Sequence, residues 1–141
     1  MGGTVTAAPR RLDAALAAAA ALVALLTLLP QGRGWTWASP TDELRWYATG
    51  LASETTVLQL AGNLALLGPL AVLAVLRWPA LASPVRLCAA SAAVATGIEL
   101  LQWALPLGRV VSPLDAALNT VGALLAGGAA AALVAPARGA S

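Results

Sequence analysis

The chain contains no histidine, lysine or phenylalanine, and it has a single cysteine among its 141 residues. Without histidine, His-based catalytic triads and His-ligated haem are excluded. One cysteine, Cys88, excludes an intrachain disulfide and every Cys/His zinc pattern. The eight basic residues are all arginines, and they are too scattered to form a nucleic-acid-binding stripe. We therefore expect no cofactor, no metal and no nucleic-acid partner.

Charge is also scarce, at 10% of residues, whereas soluble domains have about 25%. Hydrophobic residues make up 60% of the chain, and the mean hydropathy is +0.81. A soluble domain of this length would need more polar side chains to cover its surface. The composition predicts an integral protein of the cell membrane with one domain, residues 1–141.

Four apolar segments are each close to the roughly 20 residues that cross a bilayer core of about 30 Å. They cover about residues 12–29, 57–76, 85–105 and 114–135. The predicted fold is all-α, a multi-pass four-helix transmembrane bundle. Arg10 and Arg11 before the first segment are also typical of a signal peptide, but no small-x-small cleavage site follows Pro30. We therefore expect the first helix to be retained.

The arginines predict the orientation of the bundle, because short cytoplasmic loops carry an excess of positive charge. With the N-terminus inside, five arginines are cytoplasmic and three are outside. The cytoplasmic ones are Arg10, Arg11, Arg77, Arg86 and Arg138, and the outer ones are Arg33, Arg45 and Arg109. Both termini are therefore predicted to be cytoplasmic.

The first outer loop, residues 31–56, contains tryptophans that suit a membrane interface. Ser39 and Pro40, followed by the acids Asp42 and Glu43, form a typical helix start. The sequence predicts a short interfacial helix from about Pro40 to Leu51. The alternative is a disordered tether.

Strongly polar side chains gather at the outer ends of three predicted spans and in the loop between the last two. Ionisable residues in such positions are energetically expensive and indicate a functional site. Glu99 and Gln102 are three residues apart, and Asp115 and Asn119 are four apart, so each pair shares a helix face. The predicted ligand-binding residues are Asn63, Glu99, Gln102, Arg109, Asp115 and Asn119. The alternative is an ion-pair network of Glu99, Arg109 and Asp115 that only packs the helices.

Asp115 and Asn119 also share their stripe with the small residues Gly122 and Ala126. Small residues four apart let a second helix approach closely. We therefore expect this face of the last span to be packed inside the bundle.

These motifs resemble the VanZ-like family of small bacterial membrane proteins. The resemblance lies in an Asn63 span with downstream Pro69, a Glu99-x-x-Gln102 pair, Arg109 in a short loop, and Asp115, Asn119 and Gly122 on one helix. It covers roughly residues 12–135. The chain departs from the pattern at Leu67, at Ala71 and at Ser112, where an additional acid is common.

The resemblance implies a link to glycopeptide resistance, because VanZ is associated with reduced susceptibility to teicoplanin. Our preferred interpretation is a non-enzymatic protein that binds a membrane lipid or cell-wall lipid headgroup at an outward-facing polar site. Two alternatives stay open: a structural or assembly protein whose polar cluster packs the bundle, and an intramembrane enzyme acting on an envelope lipid. Four spans enclose little volume for a transporter, and a homo-oligomer would enclose more.

Overall fold

A computed structural model describes the backbone of residues 7–138 and the side chains of residues 9–135. Four helical stretches are long and apolar enough to cross a membrane: Pro9–Leu28, Glu54–Arg77, Pro84–Ala104 and Pro113–Ala135. The predicted all-α bundle of four spans is confirmed. The cytoplasmic placement of the termini stays a prediction, and residues 1–6 and 139–141 lie outside the described part.

Short elements join the spans. In chain order, the elements are α1 (Ala7–Leu28), β1 (Trp35–Trp37), α2 (Pro40–Gly50), α3 (Glu54–Leu66), α4 (Gly68–Arg77), a 3-10 turn (Pro79–Ala82), α5 (Pro84–Ala104), β2 (Arg109–Val111) and α6 (Pro113–Arg138). The helix predicted in the first outer loop is present as α2.

The second span is interrupted at Leu67, between α3 and α4. Pro69 has no N–H to donate, and its ring would clash with the preceding helical turn. The helix therefore ends before the proline and restarts with Pro69 in its first turn.

The last helix, α6, lies at the centre of the bundle and packs against α3, α4 and α5. A Cβ atom on Gly122 would collide with the Leu64 carbonyl of α3, and one on Gly68 would contact Ala126. The predicted packing of the Gly122 and Ala126 face is therefore present. The core residues are Val23, Leu67, Ala71, Val75, Leu87, Ala95, Ile98 and Ala123.

The outer faces of the bundle are apolar. Large hydrophobic side chains are exposed along every span, among them Leu22, Leu58, Leu100, Leu125 and Leu133. Contiguous apolar surface of this kind needs a membrane or a partner to cover it.

Four of the five tryptophans lie at one end of the bundle: Trp35, Trp37, Trp46 and Trp103. The rings of Trp35 and Trp103 approach to 6.5 Å between centroids. Tryptophan is enriched where membrane meets water, so this end is expected to lie at one membrane interface. The interfacial position of α2 is still a prediction, which these neighbouring rings support.

Candidate functional site

The two loops at the tryptophan-rich end are joined through their backbones. β1 and β2 pair in parallel, with Trp35 opposite Arg109. Gly32 and Gly108 come so close that a side chain on Gly108 would overlap the Gly32 backbone. Gly108 also has a φ of +66°, which glycine adopts without steric cost. This pairing fixes the position of Arg109 beside the end of α1.

The Arg109 guanidinium binds the end of α1. Its Nε and Nη2 atoms donate to the Leu29 carbonyl at 3.2 and 3.0 Å, and Nη2 also donates to the Leu26 carbonyl at 2.7 Å. The last carbonyls of a helix lack intrahelical donors and attract cations. Among the described residues, Arg109 forms no ion pair. The alternative interpretation, an ion-pair network of Glu99, Arg109 and Asp115, is therefore wrong, because Arg109 pairs with neither carboxylate.

Ser112 connects three elements through hydrogen bonds. Its backbone N–H donates to the Glu99 carboxylate at 2.7 Å, and its hydroxyl donates to the Glu43 carboxylate at 2.5 Å. The same hydroxyl accepts the Asp115 backbone N–H at 3.0 Å, so Ser112 caps the start of α6. Ser112 is fully buried. Ser112 therefore joins the acidic side chains of Glu43 from α2 and Glu99 from α5 to the first turn of α6.

Asn63 links the second span to the fourth. Its amide donates to the Asp115 carboxylate at 2.5 Å. Tyr47 of α2 lies against the same pair, and its buried hydroxyl has no hydrogen-bond partner within the described residues. Burial, with the nearby Asp115 charge as the second cause, raises the pKa of Tyr47 above its usual value. The phenol is therefore held in its neutral form.

Gln102 links the third span to the first. Its amide donates to the Thr27 carbonyl at 3.0 Å, and the Thr27 hydroxyl donates back to the Val23 carbonyl of its own helix at 2.8 Å. Gln102 and Thr27 are both buried. All four spans thus contribute a polar contact at the same end of the bundle.

These contacts surround a cavity of about 460 Å³. The structure brings all six sequence-predicted residues to its wall: Asn63, Glu99, Gln102, Arg109, Asp115 and Asn119. Thr27, Gln31 and Gln59 add polar groups, and Leu26, Gly62, Leu66, Ile98 and Val110 complete the lining. Small-molecule sites have volumes of about 300–1,000 Å³, so the cavity is large enough for a polar headgroup.

Asn119 has an acceptor that the protein does not satisfy. Its side chain is only 2% exposed, and its Oδ1 atom has no hydrogen-bond partner within the described residues. A buried polar atom without a partner costs about 1–3 kcal/mol. Asn119 lines the cavity, and its Oδ1 atom is an acceptor for which the described residues supply no donor.

Six polar residues of the site were not among the predicted site residues: Glu43, Ser112, Thr27, Tyr47, Gln31 and Gln59. Ser112 was noted only as a departure, although Ser112 and Asp115 have the spacing of a capping box. Glu43 was seen only as a helix-start acid. Thr27 and Tyr47 carry no sequence signal, because each reaches the site through a contact distant in sequence.

Metal binding finds no support in the geometry. Within the part of the chain that the structure describes, no group of three or more His, Cys, Asp and Glu side chains is arranged to hold a metal ion. The metal-free interpretation stays a prediction, and the chemistry available at the cavity is hydrogen bonding and charge.

A comparison with family models supports the resemblance drawn from the motifs. The model described as VanZ/LLP1 matches residues 15–134, which include every residue of the cavity wall. No curated protein and no solved structure matches the chain.

Proposed function

The chain belongs to the VanZ/LLP1 family, and we propose that it binds the headgroup of an envelope lipid in its polar cavity. The proposal treats the protein as a non-enzymatic member of the family. It also places the cavity on the outer side of the cell membrane, as the arginine distribution predicts.

The depth of the cavity supports a headgroup ligand. Trp35 pairs with Arg109 in the strand ladder, and Trp103 follows the cavity residue Gln102 on α5. Tryptophan side chains prefer the headgroup region of a bilayer. A polar cavity beside them is level with the polar part of lipids.

The chemistry of the wall suits a headgroup with both acceptors and donors. Arg109 has an Nη1 atom that makes no hydrogen bond within the described residues, and it would contact a phosphate or carboxylate. Glu99 and Asp115 would accept from hydroxyl, amide or amine groups. The observation that carries the proposal is the buried Asn119 Oδ1 atom without a partner, because it needs a donor that the protein does not supply.

Substitution of Asn119 by leucine tests this directly. Leucine has a similar size but no hydrogen-bond acceptor. A headgroup donor would therefore lose its hydrogen bond to Asn119. Leaving an uncharged donor unpaired costs about 1–3 kcal/mol. We expect co-purified lipid, quantified by native mass spectrometry and lipid extraction, to fall at least about fivefold. Thr120→Val is the matched control, because the Thr120 hydroxyl bonds only the Ala116 carbonyl of its own helix.

Unchanged lipid in Asn119→Leu, or no bound lipid in the wild type, would contradict the proposal. Thermal unfolding of the same samples is measured in parallel. A structural role predicts a lower melting temperature in Asn119→Leu with lipid content unchanged per folded molecule.

The second candidate function, a packing or assembly role, is favoured by the Ser112 contacts, which join α2, α5 and α6. That network accounts for Glu43, Glu99 and Ser112 without a ligand. It does not account for Asn119, and this is why headgroup binding ranks first. By its family membership we also propose that the protein lowers susceptibility to glycopeptides such as teicoplanin, through the lipid bound at this site.

A further inference from the structure

The polar cavity continues into an apolar groove between the first and second spans. The groove has a volume of about 310 Å³ and shares Leu26, Gly62 and Leu66 with the polar cavity. Its other lining residues are all apolar: Ala19, Leu22, Val23, Ala65, Pro69 and Leu70. The polar cavity and the apolar groove are thus joined through three shared lining residues.

The groove points from the tryptophan-rich end into the membrane. It follows α1 from Leu26 back to Ala19, and it follows the second span from Gly62 to Leu70. With a rise of about 1.5 Å per residue, this is roughly 10 Å of helix. The groove therefore extends from headgroup depth toward the hydrocarbon core.

The groove is open to the side because α1 packs against α4 and α5 rather than against α3. Leu22 and Leu26 of α1 are 54% and 52% exposed. Gly62 stands at the junction of the cavity and the groove, and a Cβ atom placed there would meet no atom within 4 Å. Gly62 therefore leaves open space where the groove meets the polar cavity.

We propose that the groove holds a hydrocarbon chain of the lipid whose headgroup occupies the polar cavity, and that this lipid enters sideways from the bilayer between α1 and α3. This inference rests on the proposed headgroup binding. The occupant is a lipid chain because the lining is apolar, the groove lies on a membrane-spanning surface, and it is continuous with the polar cavity. Lipid tails are as apolar as leucine, so a chain gains little free energy by moving from the bilayer into the groove. The groove therefore guides and orients the lipid more than it raises the affinity.

Gly62→Leu tests the groove by filling its entrance. The protein is purified from nanodiscs containing equal parts of dioleoyl-phosphatidylethanolamine and dioleoyl-phosphatidylglycerol, and retained lipid is counted by native mass spectrometry. We expect at least about a fivefold loss of bound lipid, because a side chain forced into an occupied space is strongly unfavourable. Gly97→Leu is the matched control: it also has no atom within 4 Å of the added Cβ, and it lines neither the polar cavity nor the groove.

Ala65→Leu is the second variant, because Ala65 lines the groove but not the polar cavity. The water-soluble headgroups glycerophosphoethanolamine and glycerophosphoglycerol are tested for binding to the same proteins by calorimetry. Loss of lipid in both groove variants, with headgroup binding kept in Ala65→Leu, supports the proposal.

Lipid retention in Gly62→Leu and Ala65→Leu equal to that in Gly97→Leu would overturn the groove while leaving headgroup binding intact. Absence of both lipid and headgroup binding in the wild type would overturn the proposed function itself, and the groove with it.

Discussion

At the scale of single residues, the Ser112 hydroxyl is both a donor and an acceptor. It donates to Glu43 and accepts from the Asp115 backbone. An ionised acid at this position could accept but not donate, and it would face Glu43 with the same charge. The pair of Ser112 and Glu43 thus places a carboxylate from α2 beside the position where the family resemblance predicts an additional acid.

Tyr47 offers a test of the site at the same scale, because it is the only tyrosine in the chain. Its pKa is raised above the usual 10.0, chiefly by burial and next by the charge of Asp115. A raised folded-state pKa means that the neutral phenol contributes stability below pH 10, which is lost as the pH rises through the folded-state value. We expect the phenolate absorbance to appear only above pH 10 in the folded protein.

Asp115→Asn serves as the comparison for the Tyr47 titration. Removing that charge is expected to lower the pKa of Tyr47 part of the way toward 10.0, since burial remains the larger cause. Ionisation of Tyr47 at or below pH 10 in the wild type would show that its hydroxyl is hydrated, and that α2 does not cover the site.

At the scale of elements, the packing of α3 on α6 depends on Gly122. A methyl group there would collide with the Leu64 backbone carbonyl, which cannot move without shifting α3. We expect Gly122→Ala to lower the free energy of unfolding by about 1–3 kcal/mol. Denaturant titration in mixed micelles measures the effect.

The matched control for that variant is Gly97→Ala, because a Cβ on Gly97 meets no atom within 4 Å. Alanine favours a helix over glycine by up to about 1 kcal/mol, so this variant is expected to be neutral or stabilising. Equal stability changes in the two variants would mean that α3 and α6 are not in close contact at Gly122.

Local sequence signals predicted the helical elements well. Hydropathy indicated the four spans, and Ser39 and Pro40 indicated the start of α2. The spacing of Asp115, Asn119 and Gly122 correctly indicated the packed face of α6. These features depend on residues close together in the chain, which is why a single sequence reveals them.

Contacts between distant backbone segments were not predictable in the same way. The ladder of β1 and β2 joins Trp35 to Arg109 through backbone groups, which every residue type possesses. One alternative paired Arg109 with Glu99 and Asp115, but Arg109 binds the carbonyls of Leu26 and Leu29. The orphan carbonyls at the end of α1 became available to Arg109 only because the ladder holds the two loops together.

At the scale of the whole molecule, the two ends of the bundle differ in chemistry. One end has the polar cavity, the strand ladder and four tryptophans, whereas the other has the pair of Arg77 and Asp13, whose side chains meet at 2.6 Å. The proposed link to glycopeptides requires the cavity end to face outward, because these drugs act outside the cell. The orientation of the protein therefore decides whether its site can meet such a target.

Cysteine labelling tests the orientation, because Cys88 is the only cysteine to remove. In a Cys88→Ala background, Thr41→Cys reports the start of α2 and Ala80→Cys reports the turn between α4 and α5, and both positions are exposed. The arginine distribution places more positive charge on the side of Ala80. We expect a membrane-impermeant maleimide to label Thr41→Cys in intact cells and Ala80→Cys only after permeabilisation. The reverse pattern would place the polar cavity in the cytoplasm, so that a bound lipid would belong to the inner leaflet and the link to glycopeptides would fail.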